Sequence, residues 1–422
     1  MIITVLAQGS RGDVQPPLAL AQHLVDLGHT VRVAVPADFA PVARRMAVEV
    51  WALPFVIAER LAEGNLTDSL RRGKTLAFFK EGFQRDVDRR GPVIEMVERA
   101  CVGADVILVP ALLEDIAMSI AEKHGLRVAL LLPMPTWANS LYPSFIFAAW
   151  KLPRWANRLT YWLTERAARS MLPSINEMRA QLHMSAVRER PGLALQRTSL
   201  PVFYWVSSEV LPRPPEFRSN HHFTGYWHVP PAVRAAFGET APARELVAFL
   251  DGGPPPVYLG FGSMPVMDER VLAIAVEVAR RMDVRMVVAR GKSSITTPND
   301  RVLVIDDVDH DWLFPRCLAA IHHGGASTTG AAVRAGVPHV VCAVFADQPL
   351  WGRRVEALGV GEMLRFQRLT PSTLAAALSR SLRAAPGVRA RALAAVLAAQ
   401  PSGALVTARH VHDHGRTYPV PR

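Results

Sequence analysis

The sequence predicts an α/β protein with two domains, each built on a parallel sheet. Short apolar runs rich in β-branched residues alternate with helix-length segments along the chain, which is typical of strands and helices in a parallel α/β fold. The 422 residues exceed what one hydrophobic core usually organises. A proline-rich stretch without sustained periodicity, residues 212–231, separates two such series and indicates an interdomain linker.

The N-terminal series begins with an apolar run over residues 2–7, a glycine-containing turn over residues 9–12 and a helical pattern over residues 14–27. Further apolar runs predict strands at residues 30–35, 105–109, 128–132 and 202–206. This series fills the predicted N-terminal domain, residues 1–212.

The second series follows the predicted linker, residues 213–240. A helix is predicted over residues 269–281, and strands are predicted at residues 256–259, 284–289, 302–305, 318–321 and 340–344. The series fills the predicted C-terminal domain, residues 241–400, and leaves a basic tail, residues 401–422, which could pack back on the N-terminal domain. Ligands of such folds bind beyond the carboxyl ends of the strands, so the loops there form the candidate site.

Composition limits the functions that remain. The formal charge is +11 and the pI is about 10.2, which favours phosphate-bearing partners. We recognise neither a nucleic-acid motif nor a basic stripe interleaved with aromatic residues, so we expect no nucleic-acid partner. Most of the excess charge lies in residues 363–422, which hold nine arginines and one acidic residue, Asp413. This part of the chain lies outside the loops that form the candidate site.

Cysteine usage and the start of the chain predict a cytoplasmic protein. Three widely spaced cysteines, Cys101, Cys317 and Cys342, argue against a disulfide framework or a cysteine-built zinc site. The first apolar run is short and no positive charge precedes it, so we expect no signal peptide. No stretch reaches the ~20 apolar residues of a membrane-spanning helix. Peripheral contact with a membrane stays open.

The most informative motif covers residues 321–330 (IHHGGASTTG), where an apolar strand ends in a glycine-rich turn that leads into a helix. The start of a helix offers backbone N–H groups and the positive end of the helix dipole, and glycines let a phosphate approach the backbone closely. With a histidine and several hydroxyl groups, the pattern suits a diphosphate. The alternative is an ordinary capped helix with a histidine in the core.

Two other loops carry polar side chains at the carboxyl ends of predicted strands. Asp347 and Gln348 follow one strand, and a carboxylate beside an amide suits the hydroxyl groups of a sugar; helix capping is the alternative. Asp13 follows the first strand, where its carboxylate could cap the helix or act as a base. The residues alone leave both roles of Asp13 open.

These segments resemble the motifs of family 1 glycosyltransferases with the GT-B fold, in which two Rossmann-like domains with parallel sheets face each other across a cleft. The resemblance is to bacterial glycosyltransferases that act on glycopeptide and macrocyclic antibiotics, and to sterol glucosyltransferases. The matching stretches, in the order of the family, are GSRGDVQP at 9–16, GYW at 225–227, YLGFGSM at 258–264, HDWLFP at 310–315, HHGGASTT at 322–329, RAGVP at 334–338 and DQPLWG at 347–352.

The resemblance implies that the N-terminal domain binds the acceptor and the C-terminal domain binds the nucleotide-sugar donor. It also implies a role for each matching residue. Asp13 would be the catalytic base, at a position where many relatives carry a histidine. The nucleobase would lie near Val308 and Trp312, and the donor sugar would contact Asp347 and Gln348. The donor diphosphate would be held by Ser10, Ser263, His323, Gly324, Gly325, Ser327 and Thr328. Four acidic residues near the nucleobase loop are interpreted as solvated charges: Asp306, Asp307, Asp309 and Asp311.

The implied reaction is an inverting transfer of a sugar from a UDP- or TDP-sugar to a hydroxyl group of a hydrophobic small molecule such as an antibiotic aglycone. No metal or other cofactor is expected, because the helix terminus, the hydroxyl groups and His323 would stabilise the leaving diphosphate. A histidine-rich segment, residues 410–414, lacks one residue of the metal motif that it resembles, so no metal site is predicted there. Two alternatives remain: a sterol or lipid glucosyltransferase at a membrane surface, and a non-catalytic nucleotide-binding homologue.

Residues 145–169 interrupt the α/β pattern with aromatic residues among basic ones. The segment could dip into lipid as an interfacial helix, line the acceptor pocket together with Trp137, Asn139 and Tyr142, or pack on its own domain. We favour pocket lining combined with packing, in which Trp and Leu side chains face inward and Arg side chains face solvent.

Overall fold

The computed structural model describes residues 1–62, 66–239, 241–291 and 293–421. The chain forms two compact units. The first unit consists of Met1–Arg60, Phe79–Gly238 and Pro401–Arg422, and the second consists of Leu61–Phe78 and Glu239–Gln400. Each unit therefore includes a segment that lies far away in the sequence from the rest of it.

The first unit is built on a seven-stranded sheet in which all neighbouring strands are parallel. In chain order its strands are β1 (Ile2–Leu6), β2 (Thr30–Pro36), β3 (Glu49–Leu53), β4 (Val106–Pro110), β5 (Arg127–Leu132), β6 (Val202–Tyr204) and β7 (His221–Phe223). Their order across the sheet is β3-β2-β1-β4-β5-β6-β7. Every residue of β4 is buried, as expected for a central strand covered on both faces.

The second unit contains a six-stranded sheet, also parallel throughout. Its strands are β8 (Val257–Gly260), β9 (Met286–Ala289), β10 (Val302–Ile305), β11 (Ala319–His322), β12 (His339–Ala343) and β13 (Gly361–Arg365). Their order is β10-β9-β8-β11-β12-β13.

Helices connect the strands and cover the sheets. In chain order they are α1 (Arg11–Asp26), α2 (Ala40–Ala43), α3 (Ile57–Ala62), α4 (Leu66–Arg71), α5 (Thr75–Cys101), α6 (Glu114–His124), α7 (Arg154–Ala168), α8 (Leu172–Gln181), α9 (Pro191–Leu195), α10 (Pro231–Ala236), α11 (Arg244–Asp251), α12 (Glu269–Met282), α13 (His310–Leu313), α14 (Ala326–Ala335), α15 (Gln348–Leu358), α16 (Pro371–Ser381), α17 (Ala384–Ala398) and α18 (Gly403–His414). None of the described helices is long and apolar enough to cross a membrane.

The predicted fold class, two α/β units with parallel sheets, is confirmed. The sequence patterns missed three strands, β3, β7 and β13, and all three lie at sheet edges. An edge strand is only partly covered, so it lacks the continuous apolar run of a central strand. β7 lies within the predicted linker, and pairs with β6 in the first unit.

The C-terminal helix α18 completes the core of the first unit. Its buried side chains Ala404, Ala408 and Val411 belong to the same hydrophobic cluster as Val14 and Leu18 of α1. The backbone N–H of Val128 at the start of β5 donates to the carbonyl of Pro419, at 3.3 Å. The last residues of the chain are therefore structural parts of a unit that begins at residue 1.

Each sheet has a point where the strand order reverses, between β1 and β4 in the first unit and between β8 and β11 in the second. Connections on the two sides of such a point leave in opposite directions, which opens a crevice at the carboxyl ends of the strands. The predicted base Asp13 follows β1, while Ser263 follows β8 and His323 follows β11. Predicted site residues thus lie at both reversal points.

Candidate active site

The turn between β11 and α14 joins a fully buried strand to a helix with an open N-terminus. α14 begins after Gly325, and this N-cap residue has no side chain that could cap the helix. The first helical hydrogen bond runs from the N–H of Thr329 to the carbonyl of Gly325, at 2.9 Å. The first N–H groups of a helix point away from it and favour an anion.

His323 lies beside this helix terminus as a neutral imidazole. Burial lowers the pKa of His323 to about 4, so the ring carries one N–H at pH 7. Its Nδ1 is buried and has no hydrogen-bond partner among the described residues. A Cβ on Gly325 would lie 2.5 Å from Nε2, and one on Gly262 would lie 3.2 Å from Cε1. The two glycines therefore leave the space that the ring needs.

Two further histidines in the sheet stabilise this turn. His322 and His339 are fully buried on neighbouring strands, with ring centroids 5.4 Å apart. Nδ1 of His322 accepts the N–H of Gly324 at 3.1 Å, while Nδ1 of His339 lies 3.0 Å from the carbonyl of Val337 and must donate to it. Burial lowers the pKa of His339 to about 4 and holds the pKa of His322 well below its usual value, so both rings are neutral.

Three loops of the second unit meet at this turn. A Cβ on Gly324 would lie 3.1 Å from the carbonyl oxygen of Gln348, so the β11–α14 and β12–α15 turns are in close contact. Nε2 of Gln348 donates to Sδ of Met264 at 3.1 Å, which joins the β8 turn to the same group. Ser263, beside Met264, is half-buried. The structure thus brings together the predicted residues around Ser263, His323 and Gln348.

Asp347 and Gln348 are held rigidly before α15. Oδ2 of Asp347 accepts the indole N–H of the fully buried Trp351 at 2.7 Å, and burial raises the pKa of the carboxyl group. Oε1 of Gln348 accepts two backbone N–H groups of its own turn, at 2.8 and 3.2 Å. Gln348 is 5% exposed, so its side chain shapes the turn, and direct contact with a sugar stays a prediction.

A segment from early in the chain contributes to this site, which sequence reasoning missed. The N–H of Ala346 donates to Oγ1 of Thr75 at 3.1 Å, and the rings of Phe78 and Phe345 meet edge to face at 4.9 Å. Ala346 has φ of 53°, a left-handed conformation that glycine adopts more easily. No local signal in the sequence points to Thr75, because its partner lies 271 positions away in the chain.

The predicted nucleobase residues Val308 and Trp312 are partly buried against one hydrophobic cluster of the second unit. The guanidinium of Arg316 lies 4.5 Å from the ring centroid of Trp312. The interpretation of the surrounding acids as solvated charges is wrong for Asp309 and Asp311, which are partly buried, whereas Asp306 is 73% exposed. Asp306 pairs with Arg290 and Asp311 with Arg334, each at 2.6 Å, and Asp309 accepts the N–H of residue 311 to cap α13.

In the first unit, Asp13 caps α1. Its Oδ2 accepts the backbone N–H of Ser10 at 2.9 Å and the hydroxyl of Ser10 at 3.0 Å. Gly9, with φ of 123°, makes room for this carboxylate, since a Cβ there would lie 2.5 Å from Oδ2. These hydrogen bonds orient the carboxylate of Asp13, and its role as a base stays a prediction.

The three predicted acceptor residues lie inside the first unit. Trp137, Asn139 and Tyr142 are 6%, 0% and 5% exposed. The amide of Asn139 donates to the carbonyl of Trp137 and the hydroxyl of Tyr161, and its oxygen accepts two backbone N–H groups. These side chains hold the loop after β5 in shape, and their contact with an acceptor stays a prediction.

The expected orientation of α7 is wrong. Its buried residues are the largely polar Asn157, Thr160 and Tyr161, whereas Trp155 is 73% and Trp162 59% exposed. Polar side chains point inward because the loop after β5 offers them hydrogen bonds: Asn157 donates to the carbonyl of Ser140 at 2.9 Å, and Thr160 accepts a backbone N–H at 2.8 Å.

The histidine-rich segment near the C-terminus belongs to α18. Nδ1 of His410 is 2.8 Å from the hydroxyl of Tyr418, and Nδ1 of His412 is 3.1 Å from Nε2 of His29. The two rings thus have different partners. In the part of the chain that the structure describes, no group of three or more His, Cys, Asp or Glu side chains could hold a metal ion.

A cavity of about 680 Å³ in the first unit is lined by parts of α6, α7 and α9 and by residues 419–421. Its described lining includes none of the predicted site residues.

Family models match both halves of the chain. Residues 3–143 match the glycosyltransferase family 28 N-terminal domain, and residues 269–412 match the C-terminal domain described as erythromycin biosynthesis protein CIII-like.

Curated relatives are glycosyltransferases of small molecules. O-mycaminosyltylonolide 6-deoxyallosyltransferase of Streptomyces fradiae is 32% identical, over 95% of this chain and 94% of the relative. Sterol 3-beta-glucosyltransferase UGT80A2 of Arabidopsis thaliana is 30% identical, over 86% of this chain and 57% of the relative. The chain thus spans little more than half the length of that plant enzyme, and it covers 25% of the Candida albicans sterol 3-beta-glucosyltransferase, to which it is 31% identical.

Solved structures show the same fold. The glycotransferase of kitacinnamycin superposes with a TM-score of 0.70 at 20% identity, covering 99% of each chain. Glycosyltransferase VinC, in complex with dTDP, has a TM-score of 0.65 at 19% identity, covering 99% of this chain and all of the other. These structures show the GT-B fold, and the relative that is 32% identical and matched over nearly its whole length shows that this chain belongs to the glycosyltransferase family.

Proposed function

We propose that the protein is an inverting glycosyltransferase that moves a sugar from a nucleoside diphosphate donor to a hydroxyl group of a hydrophobic small molecule. One observation carries the proposal: the open N-terminus of α14 beside the neutral His323, whose buried Nδ1 has no partner among the described residues. The complex of the related VinC with dTDP supports a UDP- or TDP-sugar as the donor.

The diphosphate would bind at the start of α14. Backbone N–H groups around Gly325, the hydroxyls of Ser327 and Thr328, and the imidazole of His323 are all donors at this terminus. Negative charge builds on the diphosphate as the bond to the sugar breaks, so fixed donors stabilise the transition state more than the ground state. No metal ion is required for this step, and we expect activity to persist with EDTA.

The acceptor hydroxyl would attack the anomeric carbon from the side opposite the diphosphate. The C–O bond to the acceptor forms while the C–O bond to the diphosphate breaks, so the configuration inverts in one displacement. Asp13 would accept the hydroxyl proton, a contribution typically worth ~10²–10⁴-fold. Its hydrogen bonds from Ser10 orient the carboxylate beforehand.

Asp347 would hold the donor sugar. Its carboxylate is fixed by Trp351, and its raised pKa follows from burial. A sugar hydroxyl that donates to this carboxylate would restore some of the polar contact that burial removes. Gln348 would act by shaping the turn that presents Asp347.

For the acceptor, a macrocyclic antibiotic aglycone is the first candidate, because the 32% identical relative is named for transfer to a macrolide and covers nearly this whole chain. A sterol is the second, supported by the 30% identical plant enzyme.

A donor panel tests the proposal. Purified protein is mixed with UDP, TDP and their glucose, rhamnose and deoxysugar conjugates, and thermal stabilisation is measured. Release of the nucleoside diphosphate is then followed with polyketide, glycopeptide and sterol acceptors. We expect at least one uridine or thymidine conjugate to stabilise the protein and turn over. If no uridine or thymidine diphosphate stabilises it, the proposed donor class is wrong.

A further inference from the structure

The outward surface of α7 is an apolar stripe without a protein partner in the described chain. We call it the α7 face and define it by Trp150, Trp155, Leu159, Trp162 and Leu163. These side chains are 59%, 73%, 46%, 59% and 39% exposed. Spacings of three and four residues place the members within α7 on one side of the helix. Contiguous exposed apolar surface of this kind marks an interaction site in soluble proteins.

The exposure of the α7 face does not result from loose packing of the helix. The opposite side of α7 is anchored by four hydrogen bonds to the loop after β5 and within the helix. Besides the bonds of Asn157 and Thr160 described above, the hydroxyl of Thr164 donates to Oγ of Ser144 at 2.8 Å, and the hydroxyl of Tyr161 accepts the amide of Asn139 at 2.8 Å. Reversing the helix would bury the tryptophans but break this network.

The charge around the α7 face is predominantly positive, and one exposed acid outside α7, Glu216, interacts with Arg158. Five exposed cations flank it: Lys151, Arg154, Arg158, Arg166 and Arg169. Within the described chain none of them forms a salt bridge, and Arg166 lies 6.0 Å from the ring centroid of Trp162. The single acid of α7, Glu165, is half-buried and turned toward Arg190. A partner for this face should therefore be apolar in its interior and anionic at its surface.

We propose that the α7 face docks on an anionic lipid surface, with the tryptophans and leucines at the boundary between headgroups and acyl chains and the cations on the lipid phosphates. A helix of 15 residues with Trp and Leu on one side and Arg along its edges has the composition of an interfacial helix that lies in the membrane plane. Tryptophan is favoured at this depth because its ring is apolar and its N–H is polar. Each cation near an anionic leaflet adds attraction that salt screens.

Flotation with lipid vesicles tests this proposal on the full-length protein. Vesicles contain phosphatidylcholine alone or with about one-third phosphatidylglycerol, at low and high salt. We expect binding to the anionic vesicles that high salt weakens, and much less binding to phosphatidylcholine. The double variant W155S/W162S should lower the partition coefficient about tenfold or more. The triple variant R154Q/R158Q/R166Q should lower it about tenfold or more on anionic vesicles only, with a smaller salt dependence.

A matched control replaces two exposed apolar side chains elsewhere in the first unit, V102S/L112S, which are 47% and 55% exposed. This variant should bind vesicles like the parent. Far-UV circular dichroism and the thermal midpoint show whether each variant folds. Quenching of tryptophan emission by brominated lipid in the unmodified protein gives a second readout that needs no variant.

Three results would overturn the proposal. One is no binding to anionic vesicles at low salt. Another is equal binding by W155S/W162S, which would assign binding to charge alone, for example to the arginines of residues 363–422. The third is a dimer in sedimentation velocity that W155S/W162S abolishes, without any quenching by brominated lipid, which would assign the α7 face to a second copy of this chain.

Discussion

The two turns predicted to carry the chemistry differ in how the start of the following helix is capped. In the closed turn, residues 9–13 between β1 and α1, Asp13 and Ser10 satisfy each other and cap the helix. In the open turn, residues 323–328 between β11 and α14, the N-cap residue Gly325 has no side chain and Nδ1 of His323 has no described partner. Under the proposed function, the closed turn would fix a reactive carboxylate, while the open turn would keep its donors available for a ligand.

The largest expected effect on the transfer rate comes from a substitution that removes the proposed base of the closed turn but keeps the hydrogen bonds of that turn. Asp13→Asn keeps an oxygen that can accept the hydrogen bonds of Ser10 but removes the base, so we expect the transfer rate to fall ~10²–10⁴-fold. The measurement is kcat for nucleoside diphosphate release with a donor found in the panel.

Ser10→Ala is the matched control for Asp13→Asn. It removes one hydrogen bond of the cap and should cost about 1 kcal/mol of unfolding free energy in a urea titration. It should lower the rate far less than Asp13→Asn. If Asp13→Asn keeps its rate within a few-fold while donor still binds, Asp13 is a cap and not the base.

The next effect should appear in the open turn. His323→Ala removes the proposed donor to the leaving diphosphate, and loss of one such donor typically costs ~10²–10³-fold in kcat. Donor binding should weaken as well, because the ring is proposed to contact the diphosphate in the ground state. Isothermal titration with the nucleoside diphosphate measures that change. Unaltered diphosphate affinity and kcat in His323→Ala would show that the open turn does not bind the phosphates.

Low pH should destabilise the part of the fold that supports the open turn, which includes His339. Burial lowers the pKa of His339 to about 4 from an unfolded value near 6.5. The folded state thus binds this proton less tightly than the unfolded chain, so its stabilising contribution is complete above pH 6.5 and is lost as pH falls toward 4. The contribution is on the order of 3 kcal/mol.

His339→Asn isolates this contribution, because an Asn amide can still donate to the carbonyl of Val337. Unfolding free energies from urea titrations of both proteins between pH 7 and pH 4 give the difference. The unmodified protein should lose more stability over this range than the variant. Parallel curves would mean that His339 is not held neutral by the fold.

The smallest effect tests the strained residue before Asp347. Ala346→Gly relieves a left-handed alanine, which costs ~1–2 kcal/mol, but adds freedom to the unfolded chain worth ~0.5–1 kcal/mol. We expect a net gain of roughly 0.5 kcal/mol in unfolding free energy, measured by urea titration. A destabilised variant would indicate that the backbone there is held by more than the conformation of one residue.

Much of this architecture could be predicted because central strands and their turns leave strong local signals. The central strands β8 and β11 were predicted to within one residue at each end, and the residues around His323 were predicted to converge with those around Ser263 because carboxyl ends of parallel strands share one edge. Edge strands such as β7 left weaker signals, since half of their surface is solvated.

Other features depend on distant partners and leave no local signal. The contact of Thr75 with Ala346 joins residues 271 positions apart. α7 was predicted with its apolar side inward because amphipathic helices usually bury that side. Its polar anchors, Asn157 and Thr160, find partners in a loop whose shape the sequence does not show. The pairing of Asp306 and Asp311 with arginines was missed for the same reason.

Because α18 belongs to the first unit, folding of that unit during synthesis on the ribosome depends on the last part of the chain. The core of the first unit includes Ala404 and Val411 of α18, so it cannot be completed when residue 238 emerges. At ~5–20 residues per second, the ribosome needs on the order of ten seconds or more to reach α18. During that interval the surface of α1 that α18 covers is open to chaperones and to wrong partners. A stop codon shortly before residue 401 would therefore leave the core of the first unit incomplete, although most of that unit has already been translated.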